Sequence, residues 1–268
     1  MTPSRLWSVT TITKEGLPSA ALLGWAVKAT AEWVVDNADA VRVMAESDRD
    51  AALDVVKQAR YRKTGPAAAR GTALHKAAEA LSYGETPEIE PFHQPWLDIY
   101  RQFLDDHQPE FEMAEAPVYN LTYAYAGTLD TIVRIDGRLL LLDIKTHAKK
   151  IDEPRPPYPD VALQLAGYRH AELVGLAAPR QVNYHSRRYY LYDEETATAP
   201  MPEVEGAVCL AVSPTDYTLT PVRTDDDVWQ AFLHVREVAR WVLDTSQTVL
   251  GPPIRPPVPV EEVPDART

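Results

Sequence analysis

The sequence predicts an α/β fold, a mixed and mostly antiparallel sheet flanked by helices, and three observations carry that expectation. Segments with apolar residues at helical spacing alternate with β-prone runs. Between two of those runs stands Asp136-Gly137, a strong two-residue hairpin signal. Just beyond it, Leu139 to Leu142 is continuously apolar, the pattern of a central strand covered on both faces.

In chain order, Thr10 to Thr13 are β-prone and predict a short strand. From Pro18 to about Val43, Leu22, Trp25, Ala29, Trp33 and Asp36 recur at helical steps, with Pro18 suited to a first turn. A further helix is expected from Ala45 to about Arg60, followed by a loop over Tyr61 to Pro66. Gly71-Thr72 then leads into the alanine-rich stretch Ala73 to Leu81, a helix with His75 and Glu79 on one face. Pro87 and Pro91 end that unit, and Trp96 to Leu104 predict another helix.

Met113 to Leu121, Tyr125 to Ile135 and Arg138 to Lys145 read as strands, the last two joined by the Asp136-Gly137 hairpin. Pro154, Pro156, Pro157 and Pro159 punctuate a loop. Asp160 to about Leu176, with Leu163, Gly167, His170 and Val174 at helical spacing, reads as a crossover helix. Later strands are expected over Gln181 to Tyr192, Ala207 to Val212 and Tyr217 to Val222, and a terminal helix over Asp225 to Leu243 carries Trp229, Leu233 and Trp241. Residues 1–250 read as a single domain, with a helical N-terminal part at about 18–108 and a core at about 70–225. Residues 251–268 form a proline-rich acidic tail, expected to be disordered or extended.

Hydrophobic residues make up 45% of the chain, enough for a substantial core. No apolar run approaches the roughly 20 residues that a bilayer crossing needs, so no membrane partner is expected. Met1 to Trp7 lack a basic segment followed by an apolar one, which predicts a cytoplasmic protein. Cys209 is the lone cysteine, so the chain cannot by itself supply disulfides, a cysteine-based zinc site or an iron–sulfur cluster held by four thiolates. With 27 Lys and Arg against 39 Asp and Glu, the formal charge of -12 argues against a general grip on phosphate backbones. A nucleic-acid partner would need a local basic track. Lys57, Arg60, Arg62, Lys63, Arg70 and Lys76 supply one with no acid among them, which Arg187 and Arg188 could extend; an ordinary solvated face is the alternative.

A hairpin closed at Asp136-Gly137 places Asp130 directly opposite Asp143. Like charges so placed destabilise a sheet unless something compensates them. A divalent cation would do so, and paired carboxylates suit Mg²⁺ or Mn²⁺. Strand periodicity puts Lys145 on the same face as Asp143, where its ammonium can orient water or stabilise charge developing on a phosphoryl group. This combination points to metal-assisted phosphodiester hydrolysis.

The ordered set Arg70-Gly-Thr-Ala-Leu-His75, Gly127-Thr-Leu-Asp130, Leu142-Asp143-Ile-Lys145-Thr146 and Gln164-Leu-Ala-Gly-Tyr168 resembles the PD-(D/E)XK nuclease superfamily. The branch it resembles is the RecB-like one, which includes the CRISPR-associated exonucleases and their phage-encoded relatives. Leu129-Asp130 stands where that family has Pro-Asp, and the likeness covers about residues 70–170, with a looser likeness from Val9 to Trp33. The resemblance implies a restriction-endonuclease-like core. It also implies that His75, Asp130, Asp143 and the Ile144 carbonyl are metal ligands, and that Lys145 is the catalytic lysine. Gln164 and Tyr168 would face the site to position water, phosphate or the strand. Glu115, on the preceding strand, is a secondary ligand candidate, and Glu79 a weaker one. Arg62, Lys63, Arg70 and Lys76 are candidate DNA contacts.

The missing cysteines make phage-type relatives without an iron–sulfur cluster the closer pattern, and the lack of a Walker A loop assigns any unwinding to a partner. The implied activity is Mg²⁺- or Mn²⁺-dependent cleavage of DNA, exonucleolytic on single strands or free ends, in recombination, repair or replication. Recombination or replication proteins and further copies of the chain are the partners this implies. A catalytically silent DNA-binding or scaffold protein and a structure-specific endonuclease on the same fold stay open as alternatives. Of the other histidines, only His147, which follows the motif strand, has a position that suggests a role; His93, His107, His170, His185 and His234 read as structural or solvent-facing.

Overall fold

The computed structural model describes residues 4–18, 20–148, 157–184 and 187–254, with the side chains of 20–22, 63, 64 and 184 outside the description. The chain opens with β1 (Ser4–Ser8) and α1 (Val9–Gly16). Thr10 to Thr13, expected as a strand, are helical. Ser8 caps the helix by accepting the Thr11 N–H at 3.0 Å, and the Thr13 hydroxyl donates to the Val9 carbonyl at 3.2 Å. Val9 and Ile12, three residues apart, both enter the core, so capping and burial override the β preference of the threonines.

The single helix expected to Val43 divides at Asn37 into α2 (Ala20–Asp36) and α3 (Ala38–Ser47), where the Asn37 side-chain amide donates to the Trp33 carbonyl at 2.8 Å. α4 (Arg49–Ser82) then runs for 34 residues through the expected loop at Tyr61 to Pro66. Pro66 forfeits one backbone hydrogen bond there, but it lies exposed beside Ala67 to Ala69, strong helix formers that carry the helix onward. Pro66→Ala should therefore stabilise the chain by about 1–3 kcal/mol in denaturant melts. A loss of stability would mean that the chain needs a break at this position.

α5 (Gln94–His107), β2 (Glu110–Asn120), β3 (Tyr125–Ile135) and β4 (Arg138–Thr146) follow their sequence patterns closely. At the hairpin, Asp136 and Gly137 have φ of 50° and 77°, the two left-handed residues that a type I′ turn requires. The expected proline loop lies largely outside the described residues. α6 (Asp160–Arg169) is shorter than the pattern to Leu176 suggests, because Leu173 and Val174 belong to β5 (Leu173–Gly175), a strand paired to β2. The run from Gln181 to Tyr192 is two strands, β6 (Gln181–Tyr184) and β7 (Arg187–Tyr192), paired antiparallel. β8 (Thr198–Pro200), β9 (Gly206–Val212), β10 (Tyr217–Val222) and α7 (Asp226–Leu243) complete the described chain, α7 capped by the Asp225 side chain. Of the tail, 251–254 are exposed without regular structure, and 255–268 lie outside the described residues.

The result is an α/β fold with one curled, mixed sheet. Its path is β10-β9-β4-β3-β1-β7-β6, with β2, β5 and β8 branching from β3. Most pairings are antiparallel, whereas β1–β3 and β4–β9 are parallel. Leu140, Leu142 and Ile144 pack under α4 and α5 with Leu74, Tyr100 and Phe103, while Leu141 packs on the opposite face with residues of α1, α6 and α7. The continuous apolar run of β4 is thus covered on both faces.

One branching positions the site. β2 occupies one edge of β3 along most of its length. The other edge is shared: Tyr125 and Ala126 pair with β1, and Thr131 to Ile135 pair with β4. Residues 127–130 therefore lie in a fork from which β1 and β4 diverge, β4 continuing parallel to β9 through Asp143, Ile144 and Lys145.

Candidate metal centre

The β3–β4 register follows the expected one, with Thr131 opposite Leu142, but the ladder ends there. Asp130 and Asp143 do not form the bridged pair that the sequence predicts. β4 has begun to part from β3, and the Asp130 carboxylate fills the opening by accepting the Ile144 N–H at 2.7 Å. A side chain thus satisfies a backbone donor that the fork leaves without a strand partner.

His75, projecting from α4, ties the fork together. Its Nε2 lies 3.1 Å from the Ile144 carbonyl oxygen, and its Nδ1 lies 3.2 Å from Glu115 and 3.6 Å from Asp130. Ligating atoms of His75, Glu115 and Asp130 lie within 4.8 Å of one another. Together with Ile144 these groups line a recess of about 10 Å³, room for roughly one water-sized sphere. One imidazole, two carboxylates and a backbone carbonyl form a mostly hard-oxygen donor set, chemistry that fits Mg²⁺ or Mn²⁺.

Glu115 reaches this group through an unusual backbone. Its φ is 46°, inside β2, between the bridged pairs Ala114–Thr131 and Ala116–Leu129. A non-glycine residue held left-handed costs on the order of 1–3 kcal/mol and persists where its surroundings enforce it. The sequence makes Glu115 only a secondary candidate because acids on a solvated strand face are common, and nothing local marks this conformation. Glu115→Gly should leave thermal stability unchanged or raised while weakening Mn²⁺ binding. A large drop in melting temperature would show that the carboxylate holds the fold instead.

Asp143 faces another set of partners. It is buried, with Oδ1 2.6 Å from Lys145 Nζ and Oδ2 3.7 Å from the Cys209 sulfur. Asp143 and Lys145 share a face as expected, but Asp143 stands outside the three-residue cluster. Its field still reaches Asp130: burial, then repulsion from Asp143, raises the Asp130 pKa, opposed by His75, Lys145 and the Ile144 N–H. Burial alone would lower the His75 pKa, but the Glu115 hydrogen bond and the charges of Asp130 and Glu115 outweigh it and raise the value to about 9. In the metal-free site the protonated ring thus serves as counter-ion for the acids, and a cation bound there would have to displace that proton. Lys145 is likewise pulled down by burial and more strongly up by Asp143 and Asp130, so it carries its proton at neutral pH. Glu79, near Glu115, has its pKa raised by burial and by that neighbour's charge.

Gln164 and Tyr168, one turn apart on α6, are joined by a 3.1 Å hydrogen bond from the amide to the phenol oxygen. The Tyr168 ring packs so closely over the fork that a Cβ at position 127 would lie 2.5 Å from it, which explains the glycine there. Burial, reinforced by Asp130, holds the phenol well above its usual pKa, so it stays a neutral donor.

The candidate DNA contacts diverge. Lys76 is exposed near the site, Arg62 lies with its guanidinium 5.2 Å over Trp33, and the side chain of Lys63 lies outside the described residues. Arg70 is buried, with its guanidinium against Trp96. Lys57 pairs with Asp54 and Arg187 with Glu15. Arg188 lines a cleft of about 640 Å³ that also borders Glu79, Tyr83 and Glu115. Among the other histidines, His170 stacks on Trp229 at 4.6 Å, the His147 carbonyl accepts the Trp96 indole N–H, and His185 lies outside the described residues. Among the described residues, no helix is long and apolar enough to cross a membrane.

No protein-family model matches the chain, and no curated protein matches it. Among solved structures, the chain is similar to the crystal structure of SSO0001, with 15% identity over 82% of this chain and 86% of that one. The TM-score is 0.33, a likeness that assigns neither fold nor function.

Proposed function

We propose that this chain is a Mg²⁺- or Mn²⁺-dependent deoxyribonuclease on a restriction-endonuclease-like core, acting as an exonuclease on single-stranded DNA in recombination, repair or replication. The observation that carries the reading is the meeting of His75, Glu115, Asp130 and the Ile144 carbonyl around one recess at the fork of β3 and β4. These residues come from α4, β2, β3 and β4, so no local folding preference gathers them.

His75, Glu115, Asp130 and the Ile144 carbonyl would hold the cation, which when bound polarises a phosphodiester and activates water. Lys145 keeps its proton and, oriented by Asp143, supplies positive charge to the reacting phosphoryl oxygens. Gln164 donates to the phenol oxygen of the buried Tyr168, which holds the ring in place and keeps its hydroxyl hydrogen for an acceptor other than Gln164. Asp130 also fixes the Ile144 peptide, which orients the adjoining carbonyl toward His75.

End-labelled linear and closed circular single strands, incubated with and without Mn²⁺, test this reading. Degradation of linear strands alone is the expected result. Cutting of circles would favour the endonuclease, and binding without cleavage of either would favour the silent DNA-binding protein.

A further inference from the structure

Outside the recess, Arg70 and His93 are both more than nine-tenths buried, and Nε of Arg70 and Nδ1 of His93 have no hydrogen-bond partner among the described residues. Both side chains adjoin Trp96: the Arg70 guanidinium carbon lies 5.2 Å from the indole centre, and the His93 ring centre lies 6.5 Å from it. Burial lowers the Arg70 pKa, and no carboxylate among the described residues counters that effect. The indole face attracts the cation, but it cannot replace a hydrogen-bond acceptor. A guanidinium nitrogen sealed from water without an acceptor is costly, and an anion seated against it would supply what is missing.

The location suggests that ligand. Trp96 donates its indole N–H to the His147 carbonyl at 2.7 Å, and a Cβ on Gly71, next to Arg70, would lie 3.8 Å from the Thr146 hydroxyl. Thr146 and His147 directly follow Lys145, so Trp96 and Gly71, and with them the unpartnered nitrogens of His93 and Arg70, lie by the end of β4 just past the candidate centre. We propose that Arg70, with His93 beside the same indole, forms a phosphate-binding subsite that holds a backbone phosphate adjacent to the reacting one. The assignment of the phosphate to a DNA strand rests on the nuclease reading; the presence of a phosphate site does not.

The test uses the full chain without metal. Inorganic phosphate should raise the melting temperature of the parent and leave Arg70→Met unmoved. Arg70→Met alone should melt at or above the parent in phosphate-free buffer, because it removes an uncompensated buried charge. Arg70→Lys, which keeps the charge but loses Nε, and His93→Gln serve if the methionine variant does not fold, and each should shrink the phosphate response. In a second arm, single-stranded oligonucleotide binding to Arg70→Met should weaken about tenfold, with the slope of log affinity against log salt smaller by about 0.7. Phosphate stabilisation with an unchanged salt slope would identify free phosphate as the source of the anion. Equal phosphate responses in parent and variants, or none in the parent, would overturn the subsite. Failure of the parent to cleave DNA would instead sink the nuclease reading and leave the phosphate result standing.

Discussion

Lys145→Ala should reduce cleavage of single-stranded DNA by about 10²–10³-fold or more, with a chain that still folds but is less stable because the buried Asp143 loses its counter-charge. Its side chain is 40% exposed at the end of β4, so truncation creates no enclosed cavity. The loss falls on the reaction, since charge aimed at a developing phosphoryl oxyanion acts most strongly in the transition state. Asp143→Ala should lose activity comparably for a different reason. It removes the 2.6 Å partner that aims the ammonium and leaves a gap beside Cys209. Asp143→Asn, which keeps the volume, separates the two effects: its melting temperature should stay nearer the parent's while its activity stays low. Single-turnover rates measured beside melting curves check these outcomes. Parent-like rates in both the Lys145 and Asp143 variants would remove them from the chemistry.

Gly16→Ala should produce the largest effect on stability. A Cβ at this position would lie 2.2 Å from the Val235 carbonyl oxygen and 2.7 Å from its Cγ1, far inside van der Waals contact. The nearest obstacle is backbone, so no rotamer change clears it, and α1 must shift from α7. Overpacking of this kind costs about 1–3 kcal/mol, sometimes more. Adding Val235→Ala should not restore stability, because the carbonyl remains; a full rescue would place the conflict in the side chain alone. The disturbance should also reach the candidate site. A Cβ at Gly127 or at Gly167, the residue before Tyr168, would lie 3.4 or 3.3 Å from Val9 of α1, so a displaced α1 disturbs the packing that seats the phenol.

These two sites also show what the sequence makes legible. The β3–β4 hairpin follows from Asp136-Gly137, whose left-handed preference fixes both turn and register. Lys145 beside Asp143 follows from strand periodicity alone. The end of that ladder does not, because it depends on β4 pairing with β9, more than sixty residues further along the chain. The same nonlocal pairing hides β5, whose short apolar run reads as the end of a helix until β2 claims it. α1 is obscured by threonines whose β preference yields to a serine cap and two buried aliphatics. Glu115 is the most instructive case at the site: its chemistry is visible in the sequence, but its backbone conformation is enforced by tertiary structure.

Mn²⁺ calorimetry on the parent and on Asp130→Asn tests the centre most directly. The substitution preserves size and removes the charge that lies between His75 and the Ile144 amide. The parent should bind Mn²⁺ with measurable heat, and the variant should bind at least tenfold more weakly with little change in fold. No heat from the parent, or equal affinity in the variant, would contradict a cation held at the fork of β3 and β4.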